Sequence, residues 1–172
     1  MPVPTPTSPA PELDVPLVSG GRFRLADQHP DRFTLVVFYR GLHCPLCRGY
    51  LAQLDRALED FRATGVTSVV AVSGDDADRA QRSVTDWGLQ HLPVGYGQSV
   101  DSMREWGLFV SKGVKDPEPD LFGEPGVFLL RPDATVYMAA LNSMPAARPR
   151  IEDLLGAAKF FVDNDYPARG EA

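Results

Sequence analysis

Cysteine is scarce: the 172-residue chain has two, and both fall in one window of four residues, Cys44 to Cys47. That excludes a disulfide-stapled scaffold. A chain this long needs none, since a domain of about 150 residues buries about 70% of its unfolded surface. Runs of Lys or Arg are also missing, and 17 basic against 23 acidic residues leave a net charge of −6. Without a basic footprint for phosphate backbones or anionic headgroups, the sequence argues against nucleic acid and membrane surfaces as partners. No stretch approaches the roughly 18 consecutive apolar residues of a membrane span, and Met1 to Leu13 has neither the charged nor the apolar region of a secretory leader. The expectation is a cytoplasmic protein. There, two cysteines point to redox or metal chemistry before a structural bridge, because cellular thiols keep cytosolic disulfides reduced.

What is present is a folded α/β pattern, with 44% hydrophobic residues. Prolines at 2, 4, 6, 9, 11 and 16 make residues 1–16 an extended, polyproline-like arm, read as a loose leader. Residues 17–172 form a single domain. Leu17 to Leu25, with Gly20-Gly21 at its centre, reads as a small hairpin. Phe33 to Tyr39 is apolar after Thr34 and rich in β-branched and aromatic residues, as a strand buried on both faces must be. After it, Cys47, Tyr50, Leu51, Leu54, Leu58 and Phe61 fall on one face of a helix that ends near Thr64-Gly65.

Val66 to Val72 is a second strand. A helix from about Asp75 to Trp87 follows, capped by Ser73, with Ala77, Ala80, Val84 and Trp87 inward. A short strand at His91 to Tyr96 and a short helix at Ser99 to Trp106 precede a long irregular connection, Val110 to Gly126. Val127 to Leu130 and Thr135 to Leu141 form a closing hairpin across a tight turn, and a last helix spans Ile151 to Val162 behind Pro149. Alternating strands and helices up to a terminal hairpin and helix imply a central mixed sheet flanked by helices, with chemistry at the carboxyl ends of its strands.

The strand therefore delivers both cysteines to a helix N-terminus. Pro45 suits the first helical position, and the free N–H groups there favour an anion on Cys44. Arg40, His43 and Arg48 lie around it in sequence, and any cation among them pushes the same way. Cys44 is expected to be the exposed, acidic thiol, and Cys47, on the inward face, the resolving one. A thiolate at Cys44 attacks a peroxide O–O bond or a disulfide sulfur, and Cys47 then closes an internal disulfide that an external thiol must reopen. Two other readings stay open on these residues. One is half of a zinc site completed from His29, His43 and His91; the other is a pair of core cysteines. His43 alone reads equally as a solvated loop histidine.

The segment FYRGLHCPLC at 38–47, GVFLLRPDATV at 126–136 and MPAARPRIEDLLGAAKFFVDNDYPARGE at 144–171 together resemble the peroxiredoxin-like branch of the alkyl hydroperoxide reductase and thiol-specific antioxidant family. That resemblance implies a thioredoxin-like (peroxiredoxin-like) α/β fold with an N-terminal β-hairpin extension. It also implies a thiol peroxidase or thiol–disulfide oxidoreductase with no cofactor and a thioredoxin- or glutathione-type reductant, and it leaves homodimer formation open. Carried onto this chain, Cys44 matches the reactive cysteine, Cys47 the second cysteine of the CxxC, and Pro125 the thioredoxin-type cis-proline. With a cis bond there, the Glu124 backbone would receive an extended thiol substrate like an added strand.

Three positions depart from the peroxiredoxin pattern. Its proline and threonine, seven and three residues before the reactive cysteine, are Val37 and Gly41 here, and its thiolate-activating arginine is replaced by Pro125. The site leans toward thioredoxin chemistry on a peroxiredoxin-like frame, with Arg40 as the substitute cation. A different class of reading is a redox-sensing module without turnover, with Lys112 to Gly123 as its responsive surface.

Overall fold

The computed structural model describes residues 3–172; Met1 and Pro2 of the proline-rich arm lie outside the described residues. A five-stranded mixed sheet forms the centre, in the order β5 (Val94–Gly95), β4 (Val66–Val72), β3 (Phe33–Phe38), β8 (Gly126–Leu130), β9 (Val136–Leu141). Strands β3, β4 and β5 run parallel, and β8 and β9 are antiparallel to their neighbours. Every residue of β3 is buried, as its unbroken apolar run requires of a strand covered on both faces.

Alternation along β3 divides the core. Phe33, Leu35 and Val37 face one layer, built with helix α1 (Pro45–Ala63), helix α4 (Ile151–Asp163) and the partly buried Val84 and Trp87 of α2 (Ala77–Trp87). Val36 and Phe38 face the other, with Leu13, Val15, Phe23 and the short helix α3 (Val100–Glu105) with its C-cap Trp106. There Trp106 packs 5.0 Å from Phe38 and 4.9 Å from Phe128, ring centre to ring centre, a cluster of large apolar area.

The predicted apolar face of α1 is the observed one: Cys47, Tyr50, Leu51, Leu54, Leu58 and Phe61 are all buried. Asp55 is buried beside them. Its carboxylate accepts the N–H groups of Gln90, His91 and Leu92 at 2.7–3.1 Å, tying the approach to β5 onto α1. The small hairpin is present as β1 (Asp14–Pro16) and β2 (Arg22–Arg24), with Gly20 and Gly21 at φ +95° and +74° in its turn.

Four expectations change. Residues 110–126 are not irregular throughout: β6 (Val110–Lys112) and β7 (Leu121–Gly123) pair antiparallel, because Phe122 is buried and anchors the second strand. Helix α2 starts at Ala77, since the Asp76 carboxylate, not Ser73, accepts the Arg79 N–H as its cap, and this leaves Ala77 exposed and buries Ser83 instead. The strand expected over 91–96 is only two residues long, because the N–H groups before it are taken by Asp55. The arm is neither loose nor extended throughout: the Ser8 N–H donates to the Thr5 carbonyl at 3.0 Å in a turn with Thr7 at φ +71°, and Thr7, Ser8 and Ala10 exchange backbone hydrogen bonds with Val136 and Ala134 at 2.7–2.9 Å.

Candidate active site

Strand β3 ends at Phe38, and six residues on, Cys44 caps α1. Its φ of −103° and ψ of 102° are extended, Pro45 occupies the first helical position, and the Cys47 N–H donates to Cys44 Sγ at 3.1 Å. Cys44 and Cys47 are joined as a disulfide, with Cα atoms 5.2 Å apart. A backbone donor and the positive end of a five-turn helix both point at the first sulfur, an arrangement that favours its thiolate over its thiol. The expected exposure of Cys44 is not observed: it is 1% exposed and Cys47 0%, because the bridged pair sinks into the core layer with Tyr39, Tyr50 and Leu51.

The loop that carries Cys44 is held from below. Asp75, whose side chain is fully buried at the carboxyl end of β4, accepts the Leu42 N–H at 2.7 Å and pairs with Arg79 Nε at 2.8 Å. Arg79 Nη2 in turn lies 3.4 Å from His43 Nδ1. A guanidinium only donates, so Nδ1 is the acceptor and the neutral ring carries its proton on Nε2. Burial first, and the Arg40 charge second, hold the His43 pKa below the ordinary imidazole value. His43 is therefore not the cation beside Cys44 that its position in the sequence suggests.

Arg40 is committed elsewhere too. Its guanidinium stands 4.6 Å over the Phe122 ring, with Nε 3.4 Å from Glu124 Oε2 and Nη2 3.9 Å from Glu118 Oε1. Ser111 donates to the other Glu124 oxygen at 2.6 Å. Glu118 is held ionised below the usual carboxylate range, first by the Val114 N–H and, among charges, by Arg40. Thus the β6–β7 hairpin closes over the loop through charge and through Phe122, which also meets the His43 ring edge at 4.7 Å.

Arg48 lies on the exposed face of the first turn and contributes its backbone N–H to the Cys44 carbonyl at 3.1 Å. Pro125 sits at the same end of the sheet, one residue before the Gly126–Phe38 pair. The cis bond expected at Pro125 is absent; the cis peptide among the described residues is Asp116–Pro117. Glu124 N–H donates to the Phe109 carbonyl at 2.7 Å and the Pro125 carbonyl accepts from Asn142 at 3.0 Å, so the backbone runs extended from β7 into β8. That also occupies the donor an added strand would have used.

Sequence reading missed Asp75, Arg79, Glu118, Glu124 and Phe122. Asp75 and Arg79 carried a signal, a carboxylate and a guanidinium four apart just past a strand's carboxyl end. It missed Arg148 as well, which has no such signal. The Arg148 side chain follows the 3-10 turn Pro145–Ala147, stacks 4.2 Å over the Tyr50 ring, and donates from Nε to the Pro145 carbonyl at 3.3 Å. It is 9% exposed, its Nη1 is buried without a partner, and no carboxylate pairs with it among the described residues. Burial, partly offset by the attraction between the two groups, pushes its pKa down to about 10 and that of Tyr50 up to about 12. Stacking on an aromatic ring returns about 0.5–2 kcal/mol, against a desolvation cost of several kcal/mol for a buried ion. The deficit is left open.

Comparison with known proteins follows the same lines. No curated protein matches the chain in sequence. Among solved structures it is similar to peroxidoxin BcpB of Mycobacterium tuberculosis, at 13% identity over 95% of this chain and 99% of that one, with a TM-score of 0.72. Reduced Prx3 of Vibrio vulnificus in complex with H2O2 gives 12% identity, 89% and 97% coverage and a TM-score of 0.74. Peroxiredoxin Q of Xanthomonas campestris gives 20% identity, 87% and 91% coverage and a TM-score of 0.69. At these identities the likeness shows the thioredoxin-like fold of peroxiredoxins, and the family is shown by sequence: the model described as AhpC/TSA family matches residues 6–139, well over half the chain. The chain belongs to the AhpC/TSA family.

Proposed function

We propose that this protein is a thiol-dependent peroxidase that cycles between the Cys44/Cys47 dithiol and its disulfide. Membership of the AhpC/TSA family supports thiol-dependent peroxide reduction. The observation that carries the assignment of roles is the disulfide at the start of α1, with the Cys47 N–H aimed at Cys44 Sγ. In the reduced state Cys44 is the nucleophile. Its thiolate attacks one peroxide oxygen, the O–O bond breaks, and an alkoxide or hydroxide leaves with a proton from solvent. Cys47 then attacks the sulfenic acid of Cys44, releasing water and forming the disulfide seen here. Two electrons have passed from the thiols to the peroxide.

Pro45 sets the cap, Arg48 closes the first turn, and Asp75 and Arg79 fix the loop. Arg40 and His43 hold the hairpin over it as positioning residues, and Pro125 aligns β8 at the same end of the sheet. Neither Arg40 nor His43 supplies a free cation to Cys44. The reductant is read as a thioredoxin- or glutathione-type thiol and the compartment as cytoplasmic. Among the described residues no helix is long and apolar enough to cross a membrane. A homodimer is the oligomer proposed, and light scattering on the purified protein tests it. Zinc finds no support among the described residues, which hold no group of three metal-binding side chains.

Stopped-flow oxidation of the reduced protein by H2O2 and by an organic hydroperoxide tests the assignment. Cys44→Ser should abolish the reaction, and Cys47→Ser should keep the first oxidation and accumulate sulfenic acid. A wild-type rate no faster than that of free cysteine would sink the peroxidase and leave thiol–disulfide exchange.

A further inference from the structure

A groove of about 620 Å³ runs along the outside of the CxxC turn. Its walls are Pro45 and Leu46, the two residues between the cysteines, then Gly49 and Tyr50 of α1, and Arg148 and Arg150 of the segment after β9. The volume lies in the range of about 300–1,000 Å³ usual for small-molecule sites. Arg150 at the rim is already paired with Glu152. Arg148 is not. It is nine-tenths buried and held in place by its Nε bond to Pro145 and by the Tyr50 ring beneath it, with Nη1 lacking any acceptor among the described residues. The turn that presents it is fixed in its own right, by Asn142 Nδ2 donating to the Ala147 carbonyl at 2.9 Å. A planar, preorganised guanidinium without a counter-ion is a receptor for an oxyanion such as a carboxylate.

The groove is formed here in the disulfide state, and the next reactant of a disulfide is a thiol. We infer that this groove is the binding site for a low-molecular-weight thiol bearing a carboxylate, which Arg148 pairs with while the thiol sulfur is brought to the CxxC. The inference rests on the dithiol cycle proposed above and names the class of its reductant. In the reductive step the thiolate of the bound molecule forms a bond to Cys44 Sγ, the Cys44–Cys47 bond breaks, and Cys47 leaves as a thiolate that takes up a proton. A second thiol molecule attacks the mixed disulfide, frees Cys44 and departs as the oxidised dimer of the reductant. Two thiols supply the two electrons. Neither sulfur lines the groove, and Leu46, a wall residue that is more than half exposed, is the side chain that must yield.

The test uses the oxidised full-length protein and three thiols at matched thiolate concentration: glutathione, which carries carboxylates, neutral 2-mercaptoethanol, and cationic cysteamine. Glutathione should reduce the wild type at least tenfold faster than the other two. Arg148→Met should remove that advantage, bringing the ratio of the glutathione rate to the 2-mercaptoethanol rate to about one, and Arg148→Lys should keep part of it. S-methylglutathione, which cannot react, should bind the wild-type disulfide form saturably and shift the Leu46 and Gly49 amide resonances. This reading stands even where a variant folds poorly. Equal wild-type rates for the three thiols, or no S-methylglutathione binding, would overturn the inference. Peroxide oxidation of the reduced protein is scored separately: slow oxidation with intact glutathione selectivity removes the peroxidase assignment alone, and fast oxidation without selectivity removes the groove assignment alone.

Discussion

The Asp75 carboxylate stands where a side chain on Gly41 would be: a Cβ at position 41 would lie 2.7 Å from both carboxylate oxygens, and Gly41 has a φ of +129°. The place where the peroxiredoxin pattern carries a threonine is thus closed by a buried acid from the connection between β4 and α2. A threonine side chain and this carboxylate cannot share the volume.

Gly41→Thr should therefore fail to restore peroxidase chemistry of the usual kind. The backbone conformation costs a β-branched residue about 1–3 kcal/mol, and the contact with Asp75 adds to it. We expect a lower melting temperature and no gain in the rate of oxidation by H2O2. A faster rate at unchanged stability would show that the carboxylate can step aside.

Asp75→Asn leaves Arg79 without its charge partner beside a neutral His43. Breaking a buried pair costs about 3–5 kcal/mol, less where one member reaches water as Arg79 does, so about 2–4 kcal/mol is expected. Thermal melting should fall by about 5–15 °C for a chain of this size. Amide exchange at Leu42 should accelerate with it, because that N–H is bonded to the same carboxylate.

His43 gives the stability a defined pH dependence. Its folded pKa lies below the ordinary value of 6.5, so as pH falls below 6.5 the unfolded chain binds more protons than the folded one. Its contribution is complete above 6.5 and is lost as pH falls through the lowered folded value. The charged groups facing the ring are Arg40, Arg79, Asp75 and Glu118, and the Glu118 carboxyl is itself held below the usual carboxylate range. Urea denaturation at stepped pH should show the loss, and His43→Gln, which keeps an acceptor for Arg79, should flatten it.

Asp55→Ala removes the acceptor of three consecutive backbone N–H groups. Water reaches part of this surface, so a loss of about 2–4 kcal/mol is expected from the charged hydrogen bonds. Hydrogen exchange should rise at Gln90 to Leu92 while β8 stays protected. Uniform deprotection would mean that α1 itself depends on Asp55.

Much of this was legible because local chemistry and burial agreed. The unbroken apolar run at 33–38, the six inward positions of α1 and Pro45 after Cys44 each specify one local structure, and the fold uses all three. The β6–β7 hairpin was not legible: its strands are three residues long, without alternation, and what orders them is Phe122 packing against Arg40 and His43, which lie far away in sequence. Burial of Cys44 was hidden for the same reason, since a helix N-terminus says where charge is favoured and not what covers it. Arg148 sits in a segment that reads as a connector, and only its stacking on Tyr50 shows that the guanidinium turns inward.

The amino-terminal segment has a further consequence. Residues 7–10 bond to β9 at one border of the central sheet, and Leu17 and Val18 bond to Gly95 and Val94 at the other. One short stretch of chain thereby covers part of both rows of backbone groups that could recruit strands from another molecule. It is synthesised before every strand of the central sheet but finds its seats only when residues 94 and 136 have been made. Cover for these two borders therefore waits for the closing hairpin, although the segment that supplies it is already there.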